Sequence, residues 1–200
     1  MPNLTAFARF IGAAPAMRAY LQQHTQLTEA ELEQTMALMQ PCTFRKGTEL
    51  FHPGPPPDRL YFIETGLARA YRLVRGEDIT SAFYGADSFC FDTLSIVAQV
   101  PTELYFECLS DVQAHEILIP DLNRLFRRVP AIERLGRRIN ENLVCGLTER
   151  LRAFQMDDLR TRYLALMRQN PELIQQVPQR HIATYLGVKP ESLSRMRAQL

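Results

Sequence analysis

The sequence predicts an α+β fold: an N-terminal β jelly-roll barrel, then one long helix, then a small C-terminal helical unit. Three observations carry this prediction. Between about residues 42 and 120, short apolar segments recur at near-regular spacing between Gly, Pro and Asp turns, the pattern of a sandwich or jelly roll. From 129 to 155, Ile132, Leu135, Ile139, Leu143, Leu147 and Leu151 recur every three or four residues, the period of one helix face. The segment from Gln179 to Leu200 reads as two short helices joined at Gly187. The chain is expected to divide into residues 1–128, 129–155 and 156–200.

Residues 4–40 have a helical pattern. Thr28, followed three residues later by Glu31, is a capping box, and Leu32, Met36 and Met39 would face inward. Phe44 to Phe51 is extended, and the proline-rich run from His52 to Asp58 forms a rigid turn. Leu60–Glu64, Leu67–Val74, Ile79–Tyr84, Leu104–Leu109 and Val112–Ile119 supply further strands, punctuated at Gly66, Gly76 and Gly85. Pro120-Asp121 opens a helical turn to about Arg128, and Pro130 starts the long helix, which would be about 39 Å in length. So narrow a stripe suits a seam between two helices; the other reading packs it on the chain's own barrel. Asp157-Asp158 caps a helix that stops before Pro171, and Leu173–Val177 is expected to be extended.

Composition narrows the classes. The apolar share of 46% supports a core, and a net charge of +1 excludes a polycation. No apolar run reaches the ~20 residues that span a membrane, and Met1 to Thr5 does not open a signal peptide, so a cytoplasmic location is expected. Cys42, Cys90, Cys108 and Cys145 are dispersed, which argues against a disulfide framework.

The C-terminal pair carries the chemistry. In its first helix Ile182, Ala183, Tyr185 and Leu186 form an apolar side, Gly187 suits a left-handed helix end, and Pro190 suits the first turn of the next helix. In the second, Leu193, Met196 and Leu200 share one side, and Glu191, Ser194, Arg195 and Ala198 the other. A carboxylate, a hydroxyl and a guanidinium on one exposed face can read base edges in a major groove. From Pro178 onward Arg180, Lys189, Arg195 and Arg197 stand against Glu191 alone, a local positive excess where phosphates would lie. The expected DNA contacts are Gln179, Arg180, Lys189, Glu191, Ser192, Ser194 and Arg195. The bland alternative is a helical hairpin with a solvated face.

The order of barrel, long helix and helix-turn-helix resembles Crp/Fnr-type transcription regulators. Phe44-Arg-Lys-Gly-Thr-Glu-Leu-Phe-His-Pro-Gly54 and Leu60-Tyr-Phe-Ile-Glu-Thr-Gly-Leu-Ala-Arg69 resemble the glycine-punctuated strands of that family's cyclic-nucleotide-binding-type barrel, and Pro190-Glu-Ser-Leu-Ser-Arg195 is similar to its recognition-helix motif. The likeness covers about residues 20–200. It implies a bacterial, homodimeric, non-enzymatic regulator with a winged-helix-like C-terminal domain. Its partners would be a pseudo-palindromic double-stranded DNA site, an unidentified small-molecule effector and RNA polymerase. The wing hairpin would be absent or replaced, since the sequence stops at Leu200.

One departure from the family concerns the effector. Family members that bind cyclic nucleotides carry a Gly-Glu pair and an arginine in a phosphate-binding cassette. Here residues 88–108 contain neither, and Glu103 and Glu107 would repel a phosphate. Cyclic AMP control is therefore not expected. An effector pocket, if one exists, would draw on Phe89, Phe91, Asp92, Thr93, Tyr105 and Glu107, although aromatic residues there also suit plain barrel core. A cupin-like metalloenzyme and a haem or iron–sulfur sensor are the alternatives. His24, His52, His115 and His181 are scattered without a His-x-His pair, so neither a metal nor a cofactor is expected.

Overall fold

The structure is a computed structural model that describes residues 17–200; the helical reading of residues 4–16 lies outside the described residues. Two short helices come first, α1 (Met17–His24) and α2 (Glu29–Met36). The capping box at Thr28 forms as expected. The Thr28 hydroxyl accepts from the Glu31 N–H and the Glu31 carboxylate accepts from the Thr28 N–H.

Eight strands follow: β1 (Gln40–Phe44), β2 (Glu49–Phe51), β3 (Arg59–Thr65), β4 (Ala68–Val74), β5 (Glu77–Tyr84), β6 (Ser88–Cys90), β7 (Tyr105–Cys108) and β8 (Val112–Leu118). They form two antiparallel four-stranded sheets, ordered β1-β8-β3-β6 and β2-β7-β4-β5. The segment expected to run extended from Phe44 to Phe51 is two strands in different sheets, separated by a turn at Gly47. Gly66 bridges β3 and β4 at φ +92°, and a Cβ there would lie 2.2 Å from the Asp111 carbonyl oxygen, so no other residue fits without movement. A short helix, α3 (Thr93–Ala98), interrupts the β6–β7 connection and was not visible in the sequence pattern; Asp92 caps it by accepting from the Ser95 N–H.

Strand alternation sorts the side chains into three cores. Tyr61, Ile63, Ala70, Cys90, Phe106, Cys108 and Ala114 point between the sheets. Leu60, Phe62 and Ile117 point outward from the first sheet onto α1, α2 and the helices after β8. Phe83 points outward from the second sheet and, with Leu67 just before β4, joins a third core with the C-terminal helices. The barrel therefore shares a core with the C-terminal unit.

After the barrel come α4 (Ile119–Arg128) and the long α5 (Pro130–Met156). The C-terminal unit is α6 (Leu159–Gln169), α7 (Pro171–Gln176), α8 (Gln179–Tyr185) and α9 (Pro190–Arg197). Residues 173–177 were expected to be extended. Instead Pro171 starts helix α7, which buries Leu173 and ends at Gln176, with Val177 as the extended cap after it. No helix among the described residues is long and apolar enough to cross a membrane.

Candidate nucleic-acid interface

Helix α9 is set by one buried residue. Leu193 is fully buried beneath it with Met196 beside it, while Glu191, Ser194, Arg195 and Ala198 are exposed on the opposite side. Leu200, expected on the inner side, is exposed beyond the helix end at Arg197. Neither Glu191 nor Arg195 has an ion-pair partner among the described residues, so both charged ends project from the surface. Lys189 and Arg180 are exposed at the starts of α9 and α8. Gln179 and Ser192 are half-buried, which leaves each only partly available to a ligand.

The turn between α8 and α9 is closed by Gly187 at φ +73°, and the Gly187 N–H donates to the Thr184 carbonyl over 3.0 Å. Helix α8 lies against β5 of the barrel. Its buried Ile182 and Ala183, with Leu186 just past its end, share one core with Leu67 and Phe83, and the Tyr185 ring packs on Phe83 with centroids 5.1 Å apart. From α5, Arg150 donates to the Tyr185 carbonyl over 3.0 Å and to the Ser81 carbonyl, and its guanidinium lies 4.1 Å from the Tyr185 ring centroid. Long helix, barrel and C-terminal pair thus meet at one side chain.

A polar cluster completes this junction. Arg69, directly across the β4–β7 ladder from Glu107, is only 3% exposed. Its guanidinium donates to Glu107 over 3.1 and 2.9 Å, to Asp78 over 2.9 Å, to the Thr80 hydroxyl over 3.1 Å and to His181 Nδ1 over 2.7 Å. Burial first and the Arg69 charge second push the His181 pKa down, with Asp78 opposing, so the ring is held neutral. Burial would raise Asp78, but the hydrogen bond and charge of Arg69 outweigh it and hold the carboxyl below its ordinary range. Sequence reasoning missed this cluster. The available signal was an arginine between Ala68 and Ala70 in an otherwise apolar strand start.

The long-helix stripe expected to form the interface divides in two. Ile132 and Leu135 are buried against the chain's own first sheet and α4, and Ile139 packs at the edge of the same core. The chain's own core covers Ile132 and Leu135. Leu143 is half-exposed, and Leu147 and Leu151 are exposed at 49% and 58%, joined by Val144, which the three-four spacing had not included.

The expected effector residues are not brought together. Phe106 and Cys108 point into the barrel, so the alternating Tyr105 and Glu107 must point out. Tyr105 stacks on Tyr71 at 5.0 Å and Glu107 pairs with Arg69. Asp92 caps α3 and accepts from the Thr102 hydroxyl over 2.6 Å. Only Phe89, Phe91 and Thr93 share a space, a cavity of about 230 Å³ between the first sheet and α3–α5 that Ile96, Leu135 and Ile139 also line. The barrel interior is filled by rings: Phe51 lies 5.3 Å from Tyr61 and 5.1 Å from Phe106, and Phe44 lies 5.4 Å from Tyr61. Burial pushes the Tyr84 hydroxyl and the Cys90 thiol well above their ordinary pKa values, the mark of a dry interior. The four cysteines are unpaired, and among the described residues no three His, Cys, Asp or Glu side chains converge as a metal site would need.

Residues 41–129 match the cyclic nucleotide-binding domain family. No curated protein matches the chain. Among solved structures, the chain is similar to the c-di-GMP responsive global regulator CLP of Xanthomonas campestris, with 18% identity over 86% of this chain and 91% of that one and a TM-score of 0.66. It is also similar to FixK2 from Bradyrhizobium japonicum, with 18% identity over 81% and 84% and a TM-score of 0.65. A third likeness is to a protein named as a Crp/Fnr-family transcriptional regulator from Eubacterium rectale, with 17% identity over 90% and 87% and a TM-score of 0.68. At these identities the likeness shows the fold: a cyclic-nucleotide-binding-type barrel with the helical arrangement of Crp/Fnr regulators.

Proposed function

We propose that this chain is a sequence-specific DNA-binding transcription regulator of the Crp/Fnr type, a non-enzymatic homodimer of the bacterial cytoplasm that acts without cyclic AMP. The observation that carries the reading is the α9 face: Glu191, Ser194 and Arg195 exposed on a helix anchored by Leu193. The fold likeness supports the same reading.

In this reading α9 enters a major groove. Arg195 donates two hydrogen bonds to a guanine edge, Glu191 accepts from a cytosine amino group, and Ser194 contacts a base or phosphate. Arg180 and Lys189 hold phosphates and set the register, with Gln179 and Ser192 as partial contributors. Two chains pair through the exposed part of α5 around Val144, Leu147 and Leu151. Their reading helices then meet half-sites about 34 Å apart on a pseudo-palindrome. RNA polymerase is the further partner the family resemblance implies.

Two features support independence from cyclic nucleotides. No arginine lies in residues 88–108, and the barrel interior is occupied by aromatic rings. Two arginines stand on the neighbouring strand β4. Arg69 is engaged on the outer face of the barrel, and exposed Arg72 sits 3.7 Å from Glu103.

Selection of binding sites from random duplexes by the purified protein, without added nucleotide, tests the proposal. Enrichment of a two-fold symmetric motif is expected. Recovery of no enriched sequence contradicts it.

A further inference from the structure

The contact between Arg69 and His181 does more than pack two parts of the chain. Arg69 is held inside its own sheet by Glu107, Asp78 and Thr80, so its remaining Nη1–H is a donor fixed in direction, and it meets His181 Nδ1 at 2.7 Å. One turn further along α8, the Thr184 hydroxyl accepts from the Thr80 N–H over 3.2 Å. Next to it, the Tyr185 carbonyl accepts from Arg150. Three directed bonds therefore lie along α8, two from the barrel and one from the long helix. Apolar packing of Ile182 and Leu186 is non-directional and tolerates rolling of α8 about its axis; these hydrogen bonds do not. Any roll of α8 is carried through the Gly187 turn into α9.

Meanwhile the α9 face with Glu191, Ser194 and Arg195 stays exposed, so the junction does not cover it. We infer that Arg69 and His181 are positioning residues for DNA reading: they fix α8 on the barrel and so set the separation of the two α9 helices in a homodimer. This inference rests on the proposed DNA-reading function. Neither residue touches DNA in it. The junction acts by letting both half-sites be engaged at once, and simultaneous engagement is lost when geometry drifts.

The test compares a full two-half-site duplex with a single half-site duplex, both taken from the site that wild type selects. Wild type, His181→Leu, His181→Asn and Arg69→Lys are titrated against each. His181→Leu removes the acceptor, whereas His181→Asn keeps an acceptor oxygen near the Nδ1 position. Arg69→Lys keeps the charge and loses the fork, and it serves as the informative variant if His181→Leu does not fold. We expect His181→Leu and Arg69→Lys to lose about tenfold on the full site with half-site affinity unchanged, and to accept sites whose half-site spacing differs by one base pair. His181→Asn should stay near wild type. Equal losses on full and half sites, or wild-type affinity and spacing preference in both His181→Leu and Arg69→Lys, overturn the positioning role. If wild type itself selects no site, the DNA-reading proposal fails and this inference falls with it; variants equal to a wild type that does bind refute the positioning role alone.

Discussion

Gly187 rests on the ring of Phe154: a Cβ at Gly187 would lie 2.6 Å from Phe154 Cε1. The turn between α8 and α9 is thereby seated on the last turns of α5, and Arg162 adds to the joint by donating to the Leu186 carbonyl over 3.2 Å. Gly187→Ala meets two penalties, a left-handed φ of +73° and the ring contact. The backbone term alone costs about 1–2 kcal/mol, and the ring can relieve part of the clash by moving. Denaturant unfolding should show a loss of about 2 kcal/mol or more. The double variant with Phe154→Ala should lose less than the sum of the two singles, because the neighbours share the clash.

The architecture was legible because it rests on periodicity. The strands, the caps at Thr28 and Asp158, and the span of α5 follow from local spacing and capping chemistry. The α9 face was legible for the same reason, since Leu193 and Arg195 fall on opposite sides of any helix starting at Pro190. The directions of the side chains in residues 105–107 were not. Their contiguity in sequence hid the strand alternation that sends Phe106 into the barrel and Tyr105 and Glu107 out. The Arg69–His181 contact spans 112 residues and depends on how α8 docks on β5, which no local pattern encodes. For the same reason the stripe on α5 did not reveal that Ile132 and Leu135 are consumed by the chain's own barrel.

The divided stripe predicts two different outcomes on one helix. Leu147→Glu or Val144→Glu should dissociate the dimer at micromolar protein, because a two-fold seam would bury two carboxylates together. Ile132→Ala should leave the dimer mass unchanged and cost about 2–4 kcal/mol of stability by emptying part of the first-sheet core. Sedimentation velocity with urea unfolding separates them. An unchanged mass for both Glu variants would place the interface elsewhere.

Cyclic AMP and cyclic GMP at millimolar concentration should leave the melting temperature unchanged. A ligand present at 100 times its dissociation constant would add about 2.7 kcal/mol, which thermal melting detects easily. A clear upward shift would show that the aromatic filling of the barrel yields to a nucleotide.

Acid should loosen the junction. His181 is faced by Arg69 on β4, Asp78 on β5, Glu107 on β7 and Arg180 on its own helix, whose Nε is 3.3 Å from the second ring nitrogen. Its folded pKa is lowered, so the unfolded chain binds the proton more readily. The stabilisation is fully present above the unfolded value of about 6.5 and is lost as pH falls through the lower folded value. Wild-type melting temperature should therefore fall more steeply between about pH 7 and pH 5 than that of His181→Asn, which has no such proton to gain. Asp78, depressed below 3.8, contributes its own loss only at lower pH. Parallel profiles for the two proteins would show that His181 does not titrate in this range.

The reading face itself is tested by Arg195→Ala. Arg195 is exposed and makes no ion pair among the described residues, so its removal should leave melting temperature and dimer mass intact. On the wild-type-selected duplex, competition binding should show a loss of about 1–3 kcal/mol together with relaxed preference at one guanine position per half-site. A purely electrostatic role would instead weaken all duplexes alike and keep the preference. Retention of wild-type affinity and base preference by Arg195→Ala would contradict DNA reading by this face of α9.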